Sequence, residues 1–239
     1  MIGCRCKVCL STDLRDKRLR TSLLVEVKNA VICMDTSPDF RRQMLRAKPP
    51  RLDAILYTHE HADHTAGIDD IRPFNAMQQG PISLYAMPRV IADLKARFAY
   101  IFEAHHYPGL PEVSAHRFTT RSFSIKNVYV QPIPIAHGKL SISGFRIQNL
   151  AYLTDVKSIK PGALQLLKNL DVLIISALRK EKPHHTHLLL HEALDYIEAL
   201  KPKRSYITHI SHEMGLHAAV EKELPKTVFL AYDQLRLDI

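Results

Sequence analysis

Apolar residues along the chain fall into short runs separated by polar turns. Ser22 to Val27 and Ala30 to Asp35, placed around Lys28-Asn29, predict paired strands that leave Asp35 at a strand end. Asp53 to Thr58 and Ile82 to Ala86 predict two further strands. Pro88 suits the first turn of a helix reaching about Glu103, with Ile91, Leu94, Phe98 and Ile101 as its buried stripe. Val128 to Ala136 reads as an edge-tolerant strand because it contains Pro132 and Pro134, and His137-Gly138 follows it. Ile147 to Thr154 predicts a strand ending at Asp155, and Asp171 to Ser176 a buried one. Helices are expected over Leu164 to Leu170, Leu190 to Leu200 and Met214 to Glu223. Ser205 to Thr208 is a strand leading into His209, and Val228 to Tyr232 closes the pattern before Asp233.

Strands alternating with helices predict an α/β fold. The 239 residues include only 8 glycines and no Ser/Gly-rich linker, repeat or low-complexity tract, so a single domain over 1–239 is expected.

The polar residues at the strand ends carry the chemistry. Thr58-His59-Glu60-His61-Ala62-Asp63-His64 follows the apolar stretch Asp53 to Tyr57. It sets three imidazoles and a carboxylate on the loop beyond a strand's carboxyl end, where α/β chains place their sites. Nitrogen and oxygen donors at this spacing can diverge to two metal ions, an enzyme's arrangement more than a structural one. His137, Asp155 and His209 repeat the motif of a strand followed by a metal-type residue.

Charge changes the picture less. Lys and Arg number 33 against 24 acidic residues, a formal charge of +9, which favours anionic partners without identifying them. The basic clusters Arg15 to Arg20, Arg41 to Lys48 and Lys201 to Arg204 read equally well as solvated faces. Nucleic acid is a partner the charge admits but the rest of the sequence does not favour. Trp is absent, aromatics are 7% of residues, and no stacking motif or recognition helix is visible. No segment has the apolar length of a signal peptide or membrane span, so a cytoplasmic protein without membrane contact is expected. A homodimer is left open.

Three of the 4 cysteines form Cys4-x-Cys6-x-x-Cys9 at the amino terminus, while Cys33 lies in an apolar run as an ordinary buried residue. In a reducing compartment a structural zinc completed by a distant histidine explains three cysteines better than disulfides; a reactive Cys-x-x-Cys pair is the alternative.

With His-x-His-x-Asp-His unbroken from His59 to His64, followed in order by Pro134-Ile135-Ala136-His137-Gly138, Tyr152-Leu153-Thr154-Asp155 and Thr208-His209-Ile210-Ser211-His212, the chain resembles the metallo-β-lactamase superfamily. The resemblance spans nearly the whole sequence and implies a four-layer αββα sandwich of two mixed β-sheets flanked by helices. Carried over residue by residue, it implies one ion on His59, His61 and His137, a second on Asp63, His64 and His209, with Asp155 and a hydroxide bridging both. Asp35 then supports the ligand loop by hydrogen bonding; its plain alternative is a turn former before Thr36-Ser37-Pro38. Mixed nitrogen and carboxylate donors admit zinc, manganese or iron.

Within that superfamily the chain is most similar to the PhnP-type cyclic phosphodiesterases, which carry a Cys-x-Cys-x-x-Cys zinc cluster and a Thr-His-Ile-Ser-His segment. The match gives Cys4, Cys6 and Cys9 a fourth ligand in His212. It also gives His187, within His184-His185-Thr186-His187, the role of assisting the leaving group; His184 and His185 read equally as exposed loop residues. Relatives that process tRNA 3′ ends add a long RNA-binding arm, and no such insertion is seen. The expected activity is metal-dependent hydrolysis of small cyclic or nucleotide-like phosphodiesters by a metal-held hydroxide. Lactone or thioester hydrolysis is the alternative within the fold, and a nucleic-acid-binding protein without turnover the alternative outside it. His105, His106 and Tyr107 are candidates for substrate contact, or a plain surface connection.

Overall fold

A computed structural model describes residues 1–103 and 109–239, so the expectations for His105, His106 and Tyr107 lie outside the described residues. The chain groups into two compact units, Arg20–Pro132 and Met1–Leu19 with Ile133–Ile239. Each holds a mixed β-sheet with helices, the α/β class expected.

The unit Arg20–Pro132 contains β1 (Leu23–Val27), β2 (Ala30–Met34), α1 (Phe40–Ala47), β3 (Ala54–Leu56), α2 (Ala62–Thr65), α3 (Arg72–Gln78), β4 (Ile82–Ala86), α4 (Pro88–Arg97), α5 (Ala99–Phe102), β5 (Val113–Arg117) and β6 (Phe123–Ile125). Its sheet runs β1-β2-β3-β4-β5, with β1 antiparallel to β2 and the rest parallel. The strand β2 is buried along its whole length, as a parallel neighbour covered on both faces should be. Phe40, Phe74, Val90, Ile91 and Leu94 from the helices pack with Ile55, Ile82 and Leu84 of the strands. The helix expected to reach Glu103 breaks at Phe98, whose φ of −124° and ψ of 45° are not helical, and resumes as α5; Ile101 is buried all the same.

The chain passes between units within β7 (Val128–His137), whose first half pairs with β6. The second unit continues with β8 (Leu140–Ile147), β9 (Leu150–Leu153), β10 (Ser158–Ile159), α6 (Pro161–Leu164), β11 (Val172–Ser176), α7 (Leu190–Leu200), β12 (Arg204–Thr208), α8 (His217–Val220) and β13 (Val228–Leu230). Its strand order is β10-β7-β8-β9-β11-β12-β13, parallel from β9 onward. Two expectations are corrected here. The run expected as one strand from Ile147 is the end of β8, a two-residue turn at Gln148-Asn149 and β9, because Ile147 pairs antiparallel with Leu150. The helix expected over Met214 to Glu223 shrinks to α8 between two 3-10 turns, since Gly215 at φ 107° interrupts it.

The amino-terminal segment is tied to this unit by side chains. Arg18 Nε donates to the Ala231 carbonyl at 2.8 Å, Leu19 N to Asp233 Oδ1 at 3.0 Å, and His217 N to Asp16 Oδ1 at 2.8 Å. Among the described residues no helix is long and apolar enough to cross a membrane.

Candidate metal centres

In the unit Arg20–Pro132 the cluster is built from Asp35 outward. Asp35 lies just past β2 with a φ of 64°, fully buried. As a carboxylate it can only accept, and three donors reach it: Thr58 N at 2.9 Å, Thr58 Oγ1 at 2.8 Å and His64 Nδ1 at 2.7 Å. The last bond fixes the proton of His64 on Nδ1 and turns Nε2 toward Asp63 Oδ2, 3.6 Å away. Thr58 spends its single hydroxyl proton on Asp35, so its 2.9 Å contact with His59 Nδ1 is a bond that Thr58 accepts. His59 Nε2 is thereby left to face His61 Nδ1 at 3.1 Å. Metal–nitrogen bonds of about 2.0–2.1 Å at a tetrahedral angle set ligand nitrogens about 3.3 Å apart, so this pair fits one ion. One buried carboxylate thus orients two imidazoles, directly and through Thr58. The hydrogen bonds of Asp35 run to Thr58 and His64 of the ligand-type loop.

In the other unit His137 ends β7, Asp155 follows Thr154 beyond β9, and His209 follows β12. His137 Nδ1 donates to the Asp155 carbonyl at 2.8 Å, which leaves Nε2 as its ligand atom. The Asp155 carboxylate accepts from Thr154 Oγ1 at 2.8 Å and lies 3.1 Å from His209 Nε2, again a ligand-to-ligand spacing. His187 joins them: ligand atoms of Asp155, His187 and His209 lie within 4.8 Å of one another. Its Nδ1 is 4.0 Å from Asp155 Oδ2 and makes no hydrogen bond among the described residues. Its ring stacks on His209 at 5.1 Å and packs against His184 at 4.8 Å. Burial pushes the His187 imidazole down to about 3, opposed by Asp155 and reinforced by His209 and His137. His185 is exposed, while His184 is half-buried.

The amino-terminal cluster is complete within the same unit. Cys4, Cys6, Cys9 and His212 bring four ligand atoms within 4.8 Å of one another. Cys4 Sγ and Cys6 Sγ lie 3.5 Å and 3.4 Å from His212 Nδ1. Zinc bonds of about 2.3 Å to sulfur and 2.0–2.1 Å to nitrogen give about 3.6 Å for that spacing, so the four donors fit a tetrahedral ion. The Cys9 N–H, and after it His212, lower the Cys6 thiol to about 6, toward the thiolate a metal needs. Cys33 is the opposite case, pushed up to about 12 by burial.

Sequence reasoning missed the threonines. Thr58 and Thr154 each precede a candidate ligand at a strand end and hydrogen-bond the site, and the repeated pairs Thr58-His59, Thr154-Asp155 and Thr208-His209 were the available signal. It also missed why Gly138 follows His137. With φ at 62°, a Cβ there would stand 2.9 Å from Thr186 Cγ2, in the loop that carries His187. Gly138→Ala should cost about 1–2 kcal/mol of left-handed strain alone, lowering Tm by roughly 2–8 °C in a protein of this size. An unchanged melting curve would mean that neither the left-handed backbone nor the approach to Thr186 costs anything there.

Residues 31–210 match the family described as the beta-lactamase superfamily domain. The crystal structure of a diphosphatase from the PhnP family is 39% identical, covers 100% of this chain and 91% of that one, and superposes with a TM-score of 0.92. The octanoyltransferase of Porphyromonas gingivalis (strain ATCC BAA-308 / W83) is 37% identical over 236 residues, 98% of this chain and 48% of that protein. The chain therefore spans about half the length of the curated relative it matches. Zinc-bound PqqB of Methylobacterium extorquens, 19% identical over 100% of this chain and 95% of that one with a TM-score of 0.77, shares the fold.

Proposed function

Since the chain belongs to the metallo-β-lactamase superfamily, within the PhnP family, we propose that this hydrolase cleaves small phosphodiesters with two divalent ions held by the strand-end ligands. The observation that carries this reading is the set of fixed imidazoles: His59, His64 and His137 each have one ring nitrogen bonded to Thr58, Asp35 or the Asp155 carbonyl, and so offer the other. The family resemblance assigns His59, His61 and His137 to one ion, Asp63, His64 and His209 to the second, and Asp155 to both. Zinc, manganese or iron suits these donors, and zinc suits the Cys4, Cys6, Cys9 and His212 set. When bound, paired ions lower the pKa of a water held between them and offset charge on phosphoryl oxygens.

The chain's own residues supply the rest. Asp35 and Thr58 hold two ring orientations so that little reorganisation accompanies the reaction. His187 is the candidate to protonate the departing alkoxide. Burial disfavours its charged form, and an anionic diester bound beside it would act in the opposite sense, favouring the imidazolium.

The PhnP-family neighbour is named a diphosphatase, which adds phosphoanhydrides to the substrates worth testing. The name of the Porphyromonas relative favours a second reading, chemistry at an acyl carbonyl, although it describes a protein about twice as long. Metal-loaded protein assayed in parallel on a chromogenic phosphodiester, a disubstituted diphosphate, a lactone and an octanoyl thioester separates them. Hydrolysis of the phosphorus substrates is expected. Turnover confined to the lactone or thioester would replace the first reading with the second.

A further inference from the structure

The segment that carries His212 also holds the loop that carries His187. The Arg179 guanidinium makes an ion pair with Glu213, the residue after His212, through its Nη1. The same group donates from Nε to the Lys182 carbonyl at 2.8 Å and from Nη2 to the Pro183 carbonyl at 3.4 Å. Lys182 sits in the left-handed region at φ 61°, and its Nζ reaches the other Glu213 oxygen at 2.9 Å. Three contacts therefore converge from Glu213 and Arg179 on the turn immediately before His184. The backbone reinforces them: Ser211 N donates to the Leu178 carbonyl and Leu178 N to the Leu188 carbonyl, both at 2.9 Å. On its far side the loop rests against Gly138 through Thr186.

We propose that Glu213 and Arg179 are positioning residues for His187, and that through them the Cys4, Cys6, Cys9 and His212 site governs the loop from Lys182 to His187. The catalytic part of this inference rests on the proton-donating role of His187 given above; the mechanical part does not. A planar guanidinium suits the task because its fork spans a carboxylate on one side and two carbonyls on the other. Cys4, Cys6, Cys9 and His212 would hold a metal that fixes His212 and with it the adjoining backbone of Glu213, and Glu213 anchors the guanidinium that holds the turn. The cysteine cluster then bears on proton delivery as well as on folding.

The test compares holoprotein with Glu213→Ala, Glu213→Gln and Arg179→Lys, and uses Lys180→Ala, which removes only the exposed pair with Glu223, as the control. Amide exchange across residues 180–187 should quicken in Glu213→Ala and Arg179→Lys, less so in Glu213→Gln, and stay unchanged in Lys180→Ala. With metal content unaltered, kcat for a diester with a poor alkoxide leaving group should fall about tenfold or more, the range for outer-shell partners. KM should hold, and a nitrophenyl diester, whose leaving group needs no proton, should lose little. Unchanged exchange in both Glu213→Ala and Arg179→Lys overturns the coupling. Faster exchange with equal losses for both leaving groups overturns the link to His187. Should the protein hydrolyse no phosphodiester at all, the exchange data still decide the coupling, so the two readings fail separately.

Discussion

Asp155→Ala should abolish hydrolysis, by about 10³-fold or more in kcat/KM, equivalent to about 4 kcal/mol of transition-state stabilisation, while the cysteine site keeps its zinc. The substitution is unusually clean. The tautomer of His137 is held by the Asp155 backbone carbonyl, which alanine retains, and Asp35 and Thr58 orient His59 and His64 independently. What disappears is the carboxylate alone, the group 3.1 Å from His209 Nε2 that the family resemblance assigns to both ions. Removing a buried carboxylate relieves a desolvation cost in the metal-free chain, so the variant should fold. Metal analysis should show the strand-end ligands depleted and one zinc per chain remaining, the stoichiometry of a single four-ligand site. Near-normal turnover in a protein with full metal content would contradict the shared role.

Cys6→Ser should produce the largest loss of stability. Its thiol contacts His212 and accepts from Cys9 N, so it lies at the centre of the four-donor set. Serine's oxygen cannot replace a thiolate for zinc, and about one zinc per chain should be lost. The amino-terminal segment retains its side-chain ties through Asp16, Arg18 and Leu19, which limits the damage to loosening. A fall in Tm of about 5–10 °C, corresponding to a few kcal/mol in a chain of this size, should therefore be the first effect, with any loss of activity greatest for diesters with poor leaving groups, through the Glu213 and Arg179 contacts. Unchanged zinc content with altered thiol reactivity would favour the redox pair and remove His212 from the ligands.

How much of this was legible beforehand follows from particular residues. The strands β2 and β3 are apolar runs leading into Asp35 and Thr58, β11 is an apolar run ending at Ser176, and β12 ends at Thr208 before His209, so their existence and, for β2, β3 and β12, the polar residues at their ends could be read directly. The strand β8 could not. It contains Gly144, which ordinarily signals a break, and only the fold shows the reason: a Cβ there would stand 2.4 Å from Leu153 Cδ2 and 2.8 Å from the Tyr152 carbonyl of the neighbouring strand. The helix α1 was hidden by its arginines, which read as a solvated cluster and are exposed, while Phe40 anchors it to the core. Within the site the ligands announced themselves by type, but the Glu213 and Arg179 clamp did not. Its acceptors include backbone carbonyls, and no side-chain pattern records where a carbonyl will point.

Asp35, Asp155 and His209 share a feature their neighbours in the strands lack: each adopts left-handed backbone, at φ of 64°, 56° and 54°. Glycine would sit at any of these positions without steric penalty. At Asp35 and Asp155 that relief is offset by the donors left unpaired, Thr58, His64 and Thr154, whereas at His209 glycine would ease the backbone while removing an imidazole from the strand end, so heat resistance and metal capacity need not move together. Any screen that ranks variants by heat resistance should accordingly count ions as well as survivors.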